Sequence, residues 1–280
     1  MANGQALVLG GGGVAGISWI TGLLAGLADA GQDVSGADVV IGTSAGANVA
    51  AQLGSGLSLA ELFARQVDPA LQSRELMAVV EWERFAADIE SYTAGASTQT
   101  EYLIGLGRFA LDADTLTEPE RIAVIESRLP SRDWPVTPTK LTAVDCVSGE
   151  LAIFDAASGV SLVDAVAASS AVPGIWPPVT IEGRRYIDGG MRSPDNADLA
   201  EGSARIVVIS PLGLDPPLPA PVPLREVLTG LKDGGAAVTL ISPDEASVAA
   251  IGTNALDPAT RVPAATAGRA QGRKGLPPDF

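Results

Sequence analysis

The chain has 280 residues, of which 46% are hydrophobic and 18% are charged; this is enough apolar material for a buried core and excludes wholesale disorder. Its 33 acidic and 18 basic residues give a net charge of −15, which argues against nucleic-acid binding. The chain has no histidine, so a Ser-His-Asp triad and histidine-ligated metal or haem sites are excluded. A single cysteine, Cys146, excludes an internal disulfide and a cysteine-cluster metal site.

No targeting or membrane-spanning segment stands out in the sequence. The N-terminus has no basic region ahead of an apolar stretch, and every long apolar run is interrupted by Gly, Ser or charged residues. We therefore expect a cytoplasmic protein. No clustered acidic loop resembles a calcium site, and we expect neither a metal nor a cofactor.

The first 60 residues predict two strand–turn–helix units. The short apolar run Ala6–Leu9 enters four glycines, and apolar residues then recur at helical spacing up to Leu27. Gly22 and Gly26 predict a helix that lies close on a sheet. A second strand over 38–41 leads through a glycine-rich turn into a helix of small residues that ends near 53. This alternation predicts a parallel α/β sheet.

The rest of the chain predicts a helical segment followed by further strands. We expect residues 1–280 to form one domain, with a core of about residues 5–212. Residues 58–130 have a helical pattern whose apolar stripe carries Trp82; this segment is either a lid or ordinary core packing. Residues 215–280 predict a proline-rich crossover over 215–223 and a C-terminal segment whose last ~20 residues are peripheral. Between and beyond these segments, strands are predicted over 141–144, 151–154, 185–187, 206–209 and 238–241, and helices over 161–169 and from 244.

A G-x-S-x-G motif follows the second predicted strand. Gly42 and Gly46 flank Ser44, and small residues there permit a tight strand-to-helix turn that exposes the serine hydroxyl. The N-terminus of the following helix would point its free N–H groups at that serine. An ordinary tight turn is the alternative, although the position between a buried strand and a helix favours a nucleophile.

The glycine-rich turn after the first strand has two functional interpretations. Gly11, Gly13 and Gly16 match the dinucleotide fingerprint, but the second strand does not end in the acidic residue that this fingerprint requires. The other interpretation is an oxyanion hole built from consecutive backbone N–H groups of Gly11, Gly12 and Gly13, with Gly10 and Gly16 in support. We favour the oxyanion hole because a nucleophile motif lies at the end of the neighbouring strand. A turn kept only for close packing is the third possibility.

Asp188 is the best candidate for a catalytic base. It ends a predicted strand and precedes Gly189 and Gly190, which place a carboxylate at a sheet edge with a freed backbone. An Asp-Gly turn that bonds its own backbone is the alternative. Asp145 and Asp155 also end strands, but no glycines follow them directly.

These motifs together resemble the patatin-like phospholipase family. The resemblance rests on the order of glycine-rich turn, G-x-S-x-G and Asp-Gly-Gly, on the absence of histidine, and on the segment 168–178; it extends from about residue 6 to 212. It implies a three-layer α/β/α fold with a mainly parallel central sheet. It also implies a Ser–Asp dyad in which Ser44 is the nucleophile and Asp188 the base, with an oxyanion hole at Gly11–Gly13. Ala15 departs from the pattern, because the family usually has a basic residue at this position.

The resulting hypothesis is a lipid acyl hydrolase that acts through an acyl-enzyme. Its partners would be a lipid or other acyl ester and, transiently, a membrane surface, but not nucleic acid. An ordinary aspartate, with a pKa near ~3.9, is a weak base, so we expect modest turnover. The alternatives are a catalytically silent lipid-binding member of the family and a dinucleotide-binding protein that uses residues 11–16.

Overall fold

The computed structural model describes residues 4–78, 80–216 and 221–276. Within these ranges, eight strands form one sheet and ten α-helices pack around it. The strands are β1 (Gln5–Leu9), β2 (Val39–Gly42), β3 (Thr139–Asp145), β4 (Leu151–Phe154), β5 (Val179–Ile181), β6 (Arg184–Asp188), β7 (Arg205–Ile209) and β8 (Ala237–Ile241). The helices are α1 (Gly13–Asp29), α2 (Ala45–Leu53), α3 (Leu59–Val67), α4 (Trp82–Thr93), α5 (Gln99–Asp112), α6 (Glu118–Arg128), α7 (Leu162–Ser169), α8 (Leu224–Asp233), α9 (Glu245–Ile251) and α10 (Arg261–Gly272).

The sheet is mixed, with order β5-β6-β3-β2-β1-β7-β8 and with β4 also paired to β3. The five strands β3, β2, β1, β7 and β8 run parallel, which confirms the predicted parallel sheet. Strands β4 and β6 run antiparallel to β3, and β5 runs antiparallel to β6. The sequence analysis did not predict β5, because three residues are too few to show a periodicity.

Side chains of β1 point alternately to the two faces of the sheet, and each face packs against its own layer of helices. Leu7 and Leu9 point into the larger core cluster, which includes residues of α1, α2, α7 and α10. Ala6 and Val8 point into a second cluster with three leucines of α8. Both sets are fully buried, as expected for a central strand covered on both faces. The three-layer α/β/α architecture is therefore confirmed.

The C-terminal helix α10 corrects the prediction of a peripheral end to the chain. Ala264 and Ala265 are fully buried in the main core, and α10 packs along α1. Gly22 of α1 lies against this helix rather than on the sheet, since a Cβ there would overlap the carbonyl oxygen of Ala265. Gly268 of α10 approaches the carbonyl oxygen of Trp19 in the same way. A segment rich in Gly and Ala is thus a close-packing helix, with small residues where the two backbones meet.

Residues 58–130 contain helices α3 to α6 and no strand in their described part, as predicted. The predicted apolar stripe is helical only from Trp82 onward, and its residue 79 lies outside the described residues. Residues 217–220 of the predicted proline-rich crossover also lie outside them. None of the helices in the described ranges combines the length and the apolar character that a membrane span needs.

Candidate active site

Ser44 occupies a strained turn between β2 and α2. Its backbone has φ 53° and ψ −109°, a left-handed value that a residue with a side chain rarely adopts. Glycines at 42 and 46 make the turn possible: a Cβ at Gly46 would overlap the carbonyl oxygen of Leu9, and one at Gly42 would lie 2.7 Å from the Cα atom of Ala47. The G-x-S-x-G motif thus packs α2 tightly onto β1 and holds Ser44 at the start of a helix.

The strand registers bring Ser44 and Asp188 together. Gly42, the last residue of β2, pairs with Leu141, while Asp188, the last residue of β6, pairs with Ala143. The two strands approach from opposite directions and end beside Thr142. Strand β6 is antiparallel to β3, so Asp188 does not lie at the common carboxyl edge of the parallel strands. It lies near the serine because β2 and β6 end at the same level of β3.

The buried side-chain amide of Asn196 links the turns that follow β2 and β6. The Asn196 side chain donates hydrogen bonds to Thr43 Oγ1 (3.1 Å), Thr142 Oγ1 (3.3 Å) and the Gly189 carbonyl (3.2 Å). Asn196 is fully buried. The turns that carry Ser44 and Asp188 are therefore held in a fixed relation, although this residue has no signal in the sequence.

The Asp188 carboxylate is held by its own turn and lies beside the serine. Its Oδ1 accepts the Gly190 N–H at 2.7 Å. Burial raises the pKa of Asp188 to about 7, against the opposing effects of the nearby Ser44 hydroxyl, the Gly190 N–H and the Arg121 charge. The Asp-Gly turn and the catalytic interpretation are thus compatible. A carboxylate with this pKa is a stronger base than the ordinary aspartate assumed from the sequence.

The two rival aspartates are engaged elsewhere. Asp145 accepts the N–H groups of Val147 and Ser148 and forms an ion pair of 2.8 Å with Arg184. Asp155 accepts the N–H of Ala157 in its own turn. Neither borders the cavity that contains Ser44.

In the described part of the chain, the glycine-rich turn presents two N–H groups without an acceptor, and the third N–H group is engaged. The Gly11 N–H donates to the Pro194 carbonyl at 2.8 Å, so the expectation that it binds an oxyanion is corrected. Within the described residues, the N–H groups of Gly12 and Gly13 have no acceptor. Both residues border the cavity at the N-terminus of α1, where the helix dipole also favours negative charge.

The supporting glycines of this turn permit close packing. The Gly10 N–H continues the sheet by donating to Ile209, and a Cβ at Gly10 would overlap the Asp195 carboxylate. Gly16 faces Ala45 of α2. Ala15, where the family usually has a basic residue, is fully buried, so no charge enters the cavity from this position.

Ser44 and Asp188 lie in an apolar cavity of about 370 Å³. Helix α4, which the sequence analysis considered as a lid, forms part of its wall, and so does a loop of the C-terminal segment that includes Ala255. The C-terminal segment thus contributes to the site itself. The apolar walls include Val14, Ile17, Trp82, Phe85, Ile89, Leu106, Val172, Ile175, Trp176, Met191 and Leu256.

Two arginines of α6 also border the cavity, and the sequence analysis missed both. Arg121 and Arg128 are seven residues apart, which places them on one face of the helix. Arg128 binds the Glu75 carboxylate through two nitrogens, at 2.6 and 2.9 Å, and donates to Asn48, whose amide in turn bonds the Ser44 carbonyl. The available signal was an apolar helical stripe with arginines at both ends.

The described residues contain no group of three or more acidic or cysteine side chains arranged to hold a metal ion. The polar groups at Ser44 are instead a hydroxyl, a carboxylate, backbone N–H groups and guanidinium groups. Such a set can move a proton and stabilise negative charge.

The comparisons with known proteins identify the family of the chain. The family model for patatin-like phospholipase matches residues 7–201. VipD from Legionella pneumophila has a similar structure, with 14% identity and a TM-score of 0.49 over 98% of this chain and 66% of its own. The type III effector protein ExoU gives 14% identity and a TM-score of 0.39 over 98% of this chain and 54% of its own. This chain therefore spans less than two thirds of the length of either protein. The search of curated protein sequences found no match to this chain. Because the family model covers well over half of its length, the chain belongs to the patatin-like phospholipase family.

Proposed function

We propose that this protein hydrolyses carboxylic esters of lipids with Ser44 as nucleophile and Asp188 as base. The observation that carries the proposal is the position of the Ser44 hydroxyl beside the buried Asp188 carboxylate, whose pKa it lowers, inside a cavity with apolar walls. A nucleophile paired with a base is the minimum arrangement for an acyl-enzyme mechanism. Membership of the family supports the same class of reaction.

The first half of the reaction forms the acyl-enzyme. Asp188 accepts the hydroxyl proton while Ser44 Oγ attacks the ester carbonyl carbon. The carbonyl oxygen becomes an oxyanion, which accepts hydrogen bonds from the N–H groups of Gly12 and Gly13; loss of one such donor typically lowers kcat by ~10²–10³. The intermediate then collapses, the ester C–O bond breaks, and protonated Asp188 donates its proton to the departing alcohol.

The second half releases the fatty acid. Asp188, ionised again, takes a proton from a water molecule, and the resulting hydroxide attacks the acyl-enzyme carbonyl. The same glycine N–H groups stabilise the second oxyanion. The bond to Ser44 Oγ breaks, Asp188 returns the proton to the serine, and the acid leaves with its chain along the apolar wall.

Two finer points remain predictions. Helix α4 lines the cavity with Phe85 and Ile89, and its first residue, Trp82, is 47% exposed, as expected for a lid that contacts a lipid surface. We predict that α4 moves to admit the substrate and that the protein contacts a membrane surface transiently. A cytoplasmic location also remains an expectation.

A labelling experiment tests the proposal. The protein is incubated with a fluorophosphonate, the adduct is mapped by mass spectrometry, and turnover is measured on p-nitrophenyl esters of increasing chain length. We expect one adduct, on Ser44, and none on Ser170, which also borders the cavity. Ser44→Ala and Asp188→Asn should each remove nearly all turnover, and the double variant should lose no more.

Asp145→Asn is the matched control for the base. It also removes one carboxylate at the end of a strand, but at a position bound to its own turn and to Arg184. Its turnover should stay within about threefold of the wild type. Turnover retained by Asp188→Asn, or an unlabelled Ser44 in the folded wild-type protein, would overturn the proposal.

A further inference from the structure

Arg121 is a buried cation that forms no ion pair with any of the described residues. Only 3% of the residue is exposed, and its Nε and Nη1 atoms have no hydrogen-bond partner among the described residues. Its guanidinium lies 3.8 Å from the centre of the Trp176 ring, a stacking contact that satisfies no N–H group. Both residues border the cavity of Ser44.

The surroundings of Arg121 contain more positive than negative charge. Three buried arginines, Arg121, Arg128 and Arg261, face two buried carboxylates. Glu75 is paired with both Arg128 and Arg261. Arg121 is attracted by the charges of Glu75 and Asp188 but forms no ion pair with either among the described residues. Burial and the charge of Arg128 lower the pKa of Arg121, yet an arginine stays protonated in proteins. In a chain of net charge −15, this interior is locally cationic.

An unpaired buried guanidinium is costly, since each N–H lost from water without a new acceptor destabilises the fold. Helix α6 nevertheless holds it firmly. Thr117 and Glu120 form a capping box at its N-terminus, and Glu118 binds the Thr180 N–H and hydroxyl of β5. The helix is thus anchored with Arg121 at the cavity, where the negative charge of an anionic ligand would offset that of the guanidinium.

We infer that Arg121 binds the phosphate of a glycerophospholipid or lysophospholipid substrate while the ester lies at Ser44. The inference rests on the proposed function and narrows it to anionic esters. In such lipids only glycerol carbons separate the phosphate from the ester. A guanidinium donates two parallel hydrogen bonds to phosphate oxygens. The apolar walls accept the acyl chain, so one cavity matches both parts of the molecule.

The test uses two substrates that differ only in the phosphate: a short-chain 1-acylglycerol 3-phosphate and the 1-acylglycerol with the same chain. Hydrolysis of both is measured for the wild type and for Arg121→Gln. We expect kcat/KM on the phosphate ester to fall about 10- to 100-fold, as for loss of a hydrogen bond to a charged group, mainly through KM. The neutral ester should change less than about threefold. Arg121→Lys keeps the charge and should recover part of the loss.

Two controls separate binding from structure. Arg132→Gln makes the same change in net charge at a side chain that is 72% exposed, and both substrates should be unaffected. Assays are run near pH 9, so that loss of the Arg121 charge does not change the ionisation of Asp188. An equal loss on both substrates would assign Arg121 a structural role, and no loss on either would exclude contact with substrate; both outcomes overturn the inference.

The source of the anion is resolved by competition. An alkyl phosphate should inhibit the wild type and be about 10- to 100-fold weaker against Arg121→Gln. Inorganic phosphate at the same concentration should not inhibit. Equal inhibition by inorganic phosphate would indicate a site for a free anion, and equal Arg121-dependent inhibition by a fatty acid would indicate a product carboxylate; either result contradicts a phospholipid subsite.

Binding without turnover distinguishes this inference from the proposed function. Calorimetric titration of the alkyl phosphate into Ser44→Ala, with and without Arg121→Gln, requires no catalysis. If binding depends on Arg121 while the wild-type protein neither hydrolyses esters nor labels at Ser44, the anion site stands and the hydrolase proposal fails. If the esters are hydrolysed but binding of the alkyl phosphate does not depend on Arg121, the hydrolase proposal is supported and the phosphate site at Arg121 is refuted.

Discussion

Replacement of Asp188 by Asn should abolish ester hydrolysis and, at alkaline pH, make the protein more stable. The carboxylate is fully buried, and desolvation raises its pKa to about 7 despite the Gly190 N–H bond and the nearby Ser44 hydroxyl, which both lower it. Above this pH the folded protein has to bury an ionised group. Asn avoids that cost and can still accept the Gly190 N–H through its amide oxygen.

The magnitude follows from the difference between the folded and unfolded pKa values. Asp188 titrates at 3.8 in the unfolded chain and at about 7 in the fold. At about 1.36 kcal/mol per pKa unit, full ionisation lowers the free energy of unfolding by about 4 kcal/mol. Between these pH values the folded state holds a proton that the unfolded state has lost, so the stability from this group is complete below pH 3.8 and is lost as the pH rises through about 7.

The assay is urea unfolding of the wild type and of Asp188→Asn at a series of pH values from about 5 to 9. The advantage of the variant should grow with pH and level off above about pH 8, at up to about 4 kcal/mol. Asp155→Asn controls for the loss of one negative charge from the chain. A stability difference for Asp188→Asn that is constant across this range, or that decreases with pH, would refute the reasoning.

The same structure makes three other measurable predictions. kcat/KM on a neutral ester should rise with pH through about 7 and then level off, because Asp188 must be ionised to act as base; a flat profile between about pH 5 and 9 contradicts this. Gly46→Ala should lower the free energy of unfolding by several kcal/mol, since its Cβ would overlap the Leu9 carbonyl, whereas Gly230→Ala, in helix α8 with open space around it, should raise it by about 0.5–1 kcal/mol in thermal denaturation. Glu75→Gln removes the carboxylate shared by two buried arginines and should cost about 3–5 kcal/mol in urea unfolding; a loss below about 1 kcal/mol would contradict the shared pairing.

The candidate nucleophile and base could be located from sequence because their signals are local. Gly42 and Gly46 are required within a few residues of Ser44 by a turn that packs helix on strand, and Gly189 lies where a Cβ would overlap Thr142. Such contacts select residue types at fixed spacing. The absence of histidine then left a carboxylate as the available base.

Features that depend on residues far apart in the chain could not be predicted from the sequence. The state of each glycine N–H is one example: Gly11 donates to Pro194, a residue far along the chain, whereas Gly12 and Gly13 have no such partner in the described ranges. The pKa of Asp188 is another, because burial by surrounding elements, and not the residue type, sets it near 7.

By itself, the sequence determined the parallel α/β core, the strained serine turn and the Asp-Gly-Gly turn, since each follows from apolar periodicity or from glycine at a fixed position. Tertiary structure alone decided which glycine N–H groups have no acceptor in the described ranges, that α10 belongs to the core, and that Arg121 borders the cavity of Ser44 without an ion pair among those residues. The physical reason is that backbone geometry is encoded over a few residues. Burial, charge balance and hydrogen-bond satisfaction depend on which distant segments the fold brings into contact.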